Sequence, residues 1–243
     1  MATETDPDLT PLLKSCSDED LLPLRDYILG ATTNELSDFD RYNAAPERPT
    51  TYIGELVYEL RNFGGNTLVN IFRGEGVPYR EIVEDVAGQL KVRVPEGASI
   101  EDIESAVLQK VLQDMVEKMT PEERARLDNE FAAAARGAGD ATAAFPFTAI
   151  LLQGGIKMSG FMAYKMAAIV ANAVARAVLG RGLAVGANAV LMRVIGTFAG
   201  PVGWAVTGLW TLVSAAGPAF RVTVPCVCHI AFLRQKARFA DAS

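Results

Sequence analysis

Apolar residues recur at three- and four-residue spacing along most of the chain, a pattern that predicts amphipathic helices. In the first 139 residues, glycine, proline and short polar segments interrupt these stripes, so each predicted helix is short. The predicted helices of this region are 9–13, 17–30, 34–42, 51–62, 66–73, 78–90, 99–119 and 120–136. We therefore expect an all-α fold.

Several of these helices begin at capping signatures, in which a hydroxyl side chain precedes acidic residues. Ser17 stands before Glu19 and Asp20, and Ser99 stands three residues before Asp102. Thr120 precedes a first-turn proline and Glu123, so an acid lies at the positive end of the helix. These positions predict where the chain turns into helix.

From residue 145 onward the predicted helices are apolar on most sides rather than on one stripe. This pattern is typical of helices that are covered all round or that contact lipid. We predict helices at 147–157, 161–179, 183–195 and 200–216. The last segment, 218–239, begins with a β-branched run and becomes helical after Pro225; for 219–225 the pattern leaves helix and strand open.

Charge divides the chain near a Gly/Ala-rich stretch that ends at Gly139. Of the 29 acidic residues, 28 precede residue 141, and the next 100 residues carry cations only. We therefore predict an acidic helical region at 1–139, with a short N-terminal module at 8–30, and a basic, apolar, Gly/Ala-rich helical region at 140–243. We expect the acidic region to pack on the basic one through complementary charge.

Few residues are suited to metal binding or catalysis. Cys16, Cys226 and Cys228 are too few for a disulfide framework. The run Cys226-Val-Cys228-His229 cannot supply four zinc ligands, because the chain has a single histidine. The carboxylates of 75–130 follow the polar faces of helices, which predicts solvated surface. We expect no metal site, no cofactor, no catalytic residue and no enzymatic activity.

A glycine-rich element at 63–86 allows two interpretations. Glycine N–H groups before a helix could bind an anion, but the Lys-Ser/Thr pair of a P-loop is absent. Tight corners between helices explain the glycines more simply, with the polar side chains tying the loops together. The candidate residues are Gly64, Gly65, Asn66, Asn70, Arg73, Gly74 and Gly76.

The basic region also has two interpretations. Its stretch 194–220 carries no charge over 27 residues, whereas about 20 apolar residues suffice to span a bilayer. Its helices are therefore either the core of a water-soluble globule or segments that engage a membrane. Cations and tryptophans favour contact with anionic lipid. The predicted membrane-engaging residues are Arg176, Arg181, Arg193, Trp204, Trp210 and Arg221.

Several segments together resemble one family. The family is that of the bacterial YaaW-like proteins. The segments similar to it are residues 8–29, the element Leu60-Arg-Asn-Phe-Gly-Gly-Asn-Thr with 73–86, the run Gly200-Pro-Val-Gly-Trp-Ala with 217–225, and 230–234. Some members carry a label of distant similarity to the ubiquinol–cytochrome c chaperone, which assists assembly of a respiratory complex. The resemblance implies no catalytic residue.

Charge and hydropathy give the leading functional hypothesis, a non-enzymatic helical protein whose cationic apolar helices engage or insert into an anionic bilayer and form a pore. The alternative is a soluble chaperone or assembly factor that binds a partner protein's helix. We expect no nucleic-acid partner, and the oligomeric state stays open. The N-terminus is polar and acidic, unlike a signal peptide, so we expect a cytoplasmic protein with peripheral or triggered association with the inner membrane.

Overall fold

The computed structural model describes residues 5–63, 76–137, 146–153, 160–183, 217 and 219–241. Within these ranges the chain forms α-helices and two short 3-10 helices, and no strand. The all-α prediction is therefore confirmed. The predicted helices 66–73 and 200–216, and all but the first residue of the predicted helix 183–195, fall outside the described residues.

The acidic region contributes seven described α-helices and both 3-10 helices. The 3-10 helices are Leu36–Asp38 and Pro49–Thr51. The α-helices are α1 Thr10–Lys14, α2 Asp18–Leu29, α3 Asp40–Ala44, α4 Ile53–Phe63, α5 Tyr79–Gln89, α6 Ile100–Glu117 and α7 Pro121–Gly137. The predicted segment 34–42 is thus split into a 3-10 helix and α3.

The three predicted caps are present. The Ser17 hydroxyl accepts from the backbone N–H of Asp20, whose carboxylate accepts from the N–H of Ser17 in return. Thr120 and Glu123 exchange the same pair of hydrogen bonds. Ser99 accepts from the N–H of Asp102. These side chains satisfy N–H groups that have no partner inside the helix.

The basic region contributes three described helices, α8 Phe147–Leu152, α9 Gly160–Leu179 and α10 Phe220–Asp241. The last begins five residues before Pro225, so the segment 219–225, for which the sequence left helix and strand open, is helical from Phe220 onward. Proline removes one backbone hydrogen bond from a helix interior. Residues 222–233 are all buried, and this packing outweighs the local preference of a β-branched run.

The two long helices of the basic region lie in the middle of the protein. Helix α10 packs against α2, α4, α5, α6 and α9, and its longest contact is with α9. Residues 162–175 of α9 are buried without interruption. Both helices are therefore covered on all sides along these stretches, which explains why their sequence lacks a polar stripe.

Candidate functional site: a basic helix end and a charged seam

Three of the predicted membrane-engaging residues lie towards one end of the α9–α10 pair. The Tyr164 ring, near the start of α9, stacks on Phe232 and Phe239 of α10, with ring centroids 6.0 and 5.2 Å away. The start of α9 therefore lies beside the end of α10, and the two helices are antiparallel. The opposite end of the pair, which we call the basic end, carries Arg176, Arg181 and Arg221, all exposed.

Beyond α9 the chain turns back on itself. Gly180 has a positive φ of 69°, the left-handed conformation that ends a helix at low cost for glycine. The Leu183 N–H then donates to the side-chain oxygen of buried Asn172, at 3.1 Å. A Cβ on Gly182 would lie 2.6 Å from that oxygen, so this close approach favours glycine. These contacts hold residues 182 and 183 against α9.

The other predicted site residues fall mostly outside the described residues. This holds for Arg193, Trp204, Trp210, Gly64, Gly65, Asn66, Asn70, Arg73 and Gly74. Gly76 is described, and it packs on α4: a Cβ there would lie 2.7 Å from the Arg61 backbone. The Arg61 guanidinium donates to the carbonyls of Gly76 and Val77, at 2.8 and 3.1 Å. At this position the glycine serves close packing.

Ion pairs between the two regions form what we call the charged seam. Three of these pairs lie at or near the surface: Arg181 with Asp26, Lys236 with Asp20 at 2.5 Å, and Arg238 with Glu101. Exposed ion pairs contribute about 0–1 kcal/mol each, because water competes for both charges. The surface part of the charged seam therefore contributes little to stability.

One pair of the charged seam is buried. Arg234 on α10 donates through Nε to Glu104 on α6 at 2.7 Å, and through Nη2 to the Asp8 carbonyl at 2.9 Å. The Tyr79 hydroxyl donates to the same carboxylate at 2.9 Å. The Glu104 side chain is 2% exposed. Burial raises the pKa of Glu104, while the bonds from Arg234 and Tyr79 oppose that shift.

Lys165 adds a second buried cation, on α9. Its ammonium donates to the Glu130 carbonyl at 2.6 Å and lies 5.0 Å from the centre of the Phe131 ring. The Glu130 carboxylate is 3.9 Å away. Burial lowers the pKa of Lys165, and Glu130 opposes this shift. These contacts tie α9 to α7 of the acidic region.

The single histidine and two cysteines lie inside the protein on α10. His229 is 1% exposed, and Cys226 and Cys228 are fully buried. Burial lowers the pKa of His229 to about 4 and raises the pKa of Cys228 to about 12. Thiolates, not thiols, are nucleophiles and metal ligands, so these cysteines are unreactive at neutral pH. Among the described residues, no cluster of His, Cys, Asp or Glu is suited to hold a metal ion.

The roles of Asp6 and Glu104 could not be predicted from the sequence. The Asp6 carboxylate accepts from the N–H groups of Asp8, Leu9 and Tyr79, so it caps the start of α5 from 73 residues away. Glu104 sits on a helix whose periodicity predicts solvated carboxylates, yet it is buried. Tyr79 is 73 residues from Asp6, and Arg234 is 130 residues from Glu104. Residue spacing along one helix carries no information about such distant partners.

One described helix is long and apolar enough to cross a membrane. Its window, residues 162–179, has a mean hydropathy of 1.3, and 78% of it is buried inside the protein. Buried core helices of soluble proteins can be equally long and apolar. Its burial against α10 makes this helix part of the protein core.

The chain is similar throughout its length to proteins known by sequence. It is 36% identical over 247 residues to a UPF0174 protein of Helicobacter pylori strain J99, covering 99% of this chain and 96% of that protein. It is 30% identical over 202 residues to the UPF0174 protein YaaW of Escherichia coli K12, covering 83% and 78% of the two chains. No family model and no solved structure matches. The chain therefore belongs to the UPF0174 family, the YaaW-like group that its sequence resembles.

Proposed function

We propose that this protein is a non-enzymatic, membrane-active helical protein that engages an anionic bilayer through its basic, apolar region. The observation that carries the proposal is the basic end, where Arg176, Arg181 and Arg221 are exposed together. Along the sequence, residues 180–219 connect α9 to α10. The uncharged stretch 194–220 lies in this connection and ends at the first residue of α10, so Arg181 and Arg221 lie on either side of it in the sequence.

The chemistry of the basic end suits lipid headgroups. A Lys or Arg near an anionic membrane surface contributes about 1 kcal/mol. Three arginines acting together would strengthen binding by about 100-fold. Arg181 gives up little by leaving Asp26, because their ion pair is exposed. Headgroup phosphates can therefore take the place of this carboxylate.

The apolar stretch would supply the second part of the interaction. Residues 194–220 include Trp204 and Trp210, and tryptophan is enriched at membrane–water interfaces. Arg193 lies at the edge of the stretch, where its charge would reach the headgroup layer. In this proposal the acidic region keeps the basic region soluble until it meets the bilayer of the inner membrane.

Flotation of the purified protein with vesicles tests this proposal. We expect binding to vesicles that contain phosphatidylglycerol at low salt, weaker binding at physiological salt, and none to phosphatidylcholine alone. Release of an entrapped dye from the same vesicles would extend the proposal to pore formation. Failure to float under every condition would contradict membrane engagement. A lipid-insensitive complex recovered by pull-down would favour the chaperone alternative.

A further inference from the structure

The contact between α2 and α10 contains a histidine with one unsatisfied nitrogen. His229 Nε2 lies 2.7 Å from the Asp20 carbonyl oxygen. A carbonyl only accepts, so Nε2 carries the proton and donates it. His229 Nδ1 is buried and has no hydrogen-bond partner among the described residues. The neutral ring fits this site, and a second proton on Nδ1 would have no acceptor there.

The groups around this histidine come from several helices. On α2 these are Asp20, which pairs with Lys236, and Tyr27, whose ring centroid lies 6.1 Å from that of His229. Other titratable groups on α10 and on the helices packed against it include Tyr164 on α9, Tyr79 on α5, Glu104 on α6, Glu59 on α4, and Cys226, Cys228 and Arg234 on α10 itself.

Protonation of His229 therefore opposes the contact between α2 and α10. Burial is the main cause that lowers the pKa of His229 from 6.5 to about 4. In an opened state the ring meets water and regains its ordinary pKa. Between these two pKa values the opened state binds more protons than the closed state, so falling pH favours opening. The stabilising effect of the neutral ring is complete above pH 6.5 and is lost progressively towards pH 4.

We propose that His229 makes the α2–α10 contact an acid-sensitive latch, which mild acid opens. Opening would separate Lys236 from Asp20 and uncover the charged seam. The connection of this latch to membrane binding rests on the proposed function, but the opening itself does not involve lipid. From the two pKa values, the opening equilibrium rises about 30-fold between pH 7.5 and pH 5.

Thiol labelling measures the opening directly, because Cys226 and Cys228 lie on the same helix and are buried. The full chain with Cys16→Ser is treated with 4,4′-dithiodipyridine, which reacts in acid, and rates are divided by those of the urea-unfolded chain at each pH. We expect labelling to rise about 30-fold from pH 7.5 to pH 5. In the His229→Gln variant, which keeps a neutral donor, we expect less than about a threefold rise. The latch would be overturned if labelling of the protein that keeps His229 did not rise in acid. It would also be overturned if labelling rose equally in this protein and in the His229→Gln variant.

A second measurement covers the case in which His229→Gln fails to fold. The chain has one histidine, so an untagged sample gives a single imidazole signal in a carbon-detected NMR titration. We expect its pKa to lie well below 6.5, and an ordinary value would overturn the proposal. Flotation at pH 5 and 7.5 distinguishes the latch from membrane engagement. If thiol labelling rises in acid but the protein does not float with vesicles at either pH, the latch is supported and the proposed function is contradicted.

Discussion

Loss of the buried ion pair between α6 and α10 should cost far more than loss of the surface pair beside it. Arg234→Met removes the guanidinium that neutralises Glu104 and satisfies the Asp8 carbonyl. Glu104 is 2% exposed and Arg234 is 13% exposed, so the remaining carboxylate would stay buried. Breaking a buried pair in this way costs about 3–5 kcal/mol. The matched control is Arg238→Met, four residues later, whose ion pair with Glu101 is exposed and worth about 0–1 kcal/mol.

Urea denaturation at pH 7.5 measures both effects. We expect Arg234→Met to lower the midpoint by roughly 1–2 M and Arg238→Met to change it little. The double variant Glu104→Gln/Arg234→Met should recover part of the loss, because no charge is left buried. The loss in Arg234→Met should also shrink as the pH falls, since the raised pKa of Glu104 favours the neutral carboxyl. Equal losses for Arg234→Met and Arg238→Met would refute the reasoning.

The remaining predictions concern packing, capping and pH. Gly76→Ala should destabilise the protein by about 1–3 kcal/mol, because its Cβ would meet the Arg61 backbone. Gly88→Ala, with open space around the new methyl group, should stabilise it by about 0.5–1 kcal/mol; thermal unfolding compares the two. Ser17→Ala should cost about 0.5–2 kcal/mol in urea denaturation through loss of the cap. Acid should destabilise the protein by up to about 3 kcal/mol between pH 6.5 and 4, and calorimetry of His229→Gln should show that part missing.

Local signals in the sequence were sufficient for helix starts in the acidic region. The capping boxes at Ser17 and Thr120 involve side chains three residues apart, so spacing alone identifies them. The start of α10 could not be found in this way. Its β-branched run and Pro225 disfavour helix locally, whereas burial against five other helices favours it. Packing against helices that are distant in sequence produces no periodic pattern in residues 219–225 themselves.

Only part of the candidate site could be predicted from the sequence. Arg176, Arg181 and Arg221 stand out in the sequence because they flank apolar segments. That they share one end of the protein depends on the antiparallel packing of α9 and α10, which spacing does not reveal.

The partners in the charged seam are also invisible in the sequence. Arg234 and Glu104 are 130 residues apart, and Lys236 and Asp20 are 216 residues apart. Charge segregation predicts that the two regions attract one another but does not predict which residues meet.

The most direct test of membrane engagement through the basic end is flotation of a neutralised variant. Arg176→Gln, Arg181→Gln and Arg221→Gln are combined in one protein. The control combines Arg93→Gln, Lys118→Gln and Arg126→Gln, three exposed cations of the acidic region, so both proteins lose three charges. We predict that the first variant loses about 100-fold in affinity for anionic vesicles while the control binds like the unchanged protein. Equal binding by both variants, or no binding by the unchanged protein, would contradict the account.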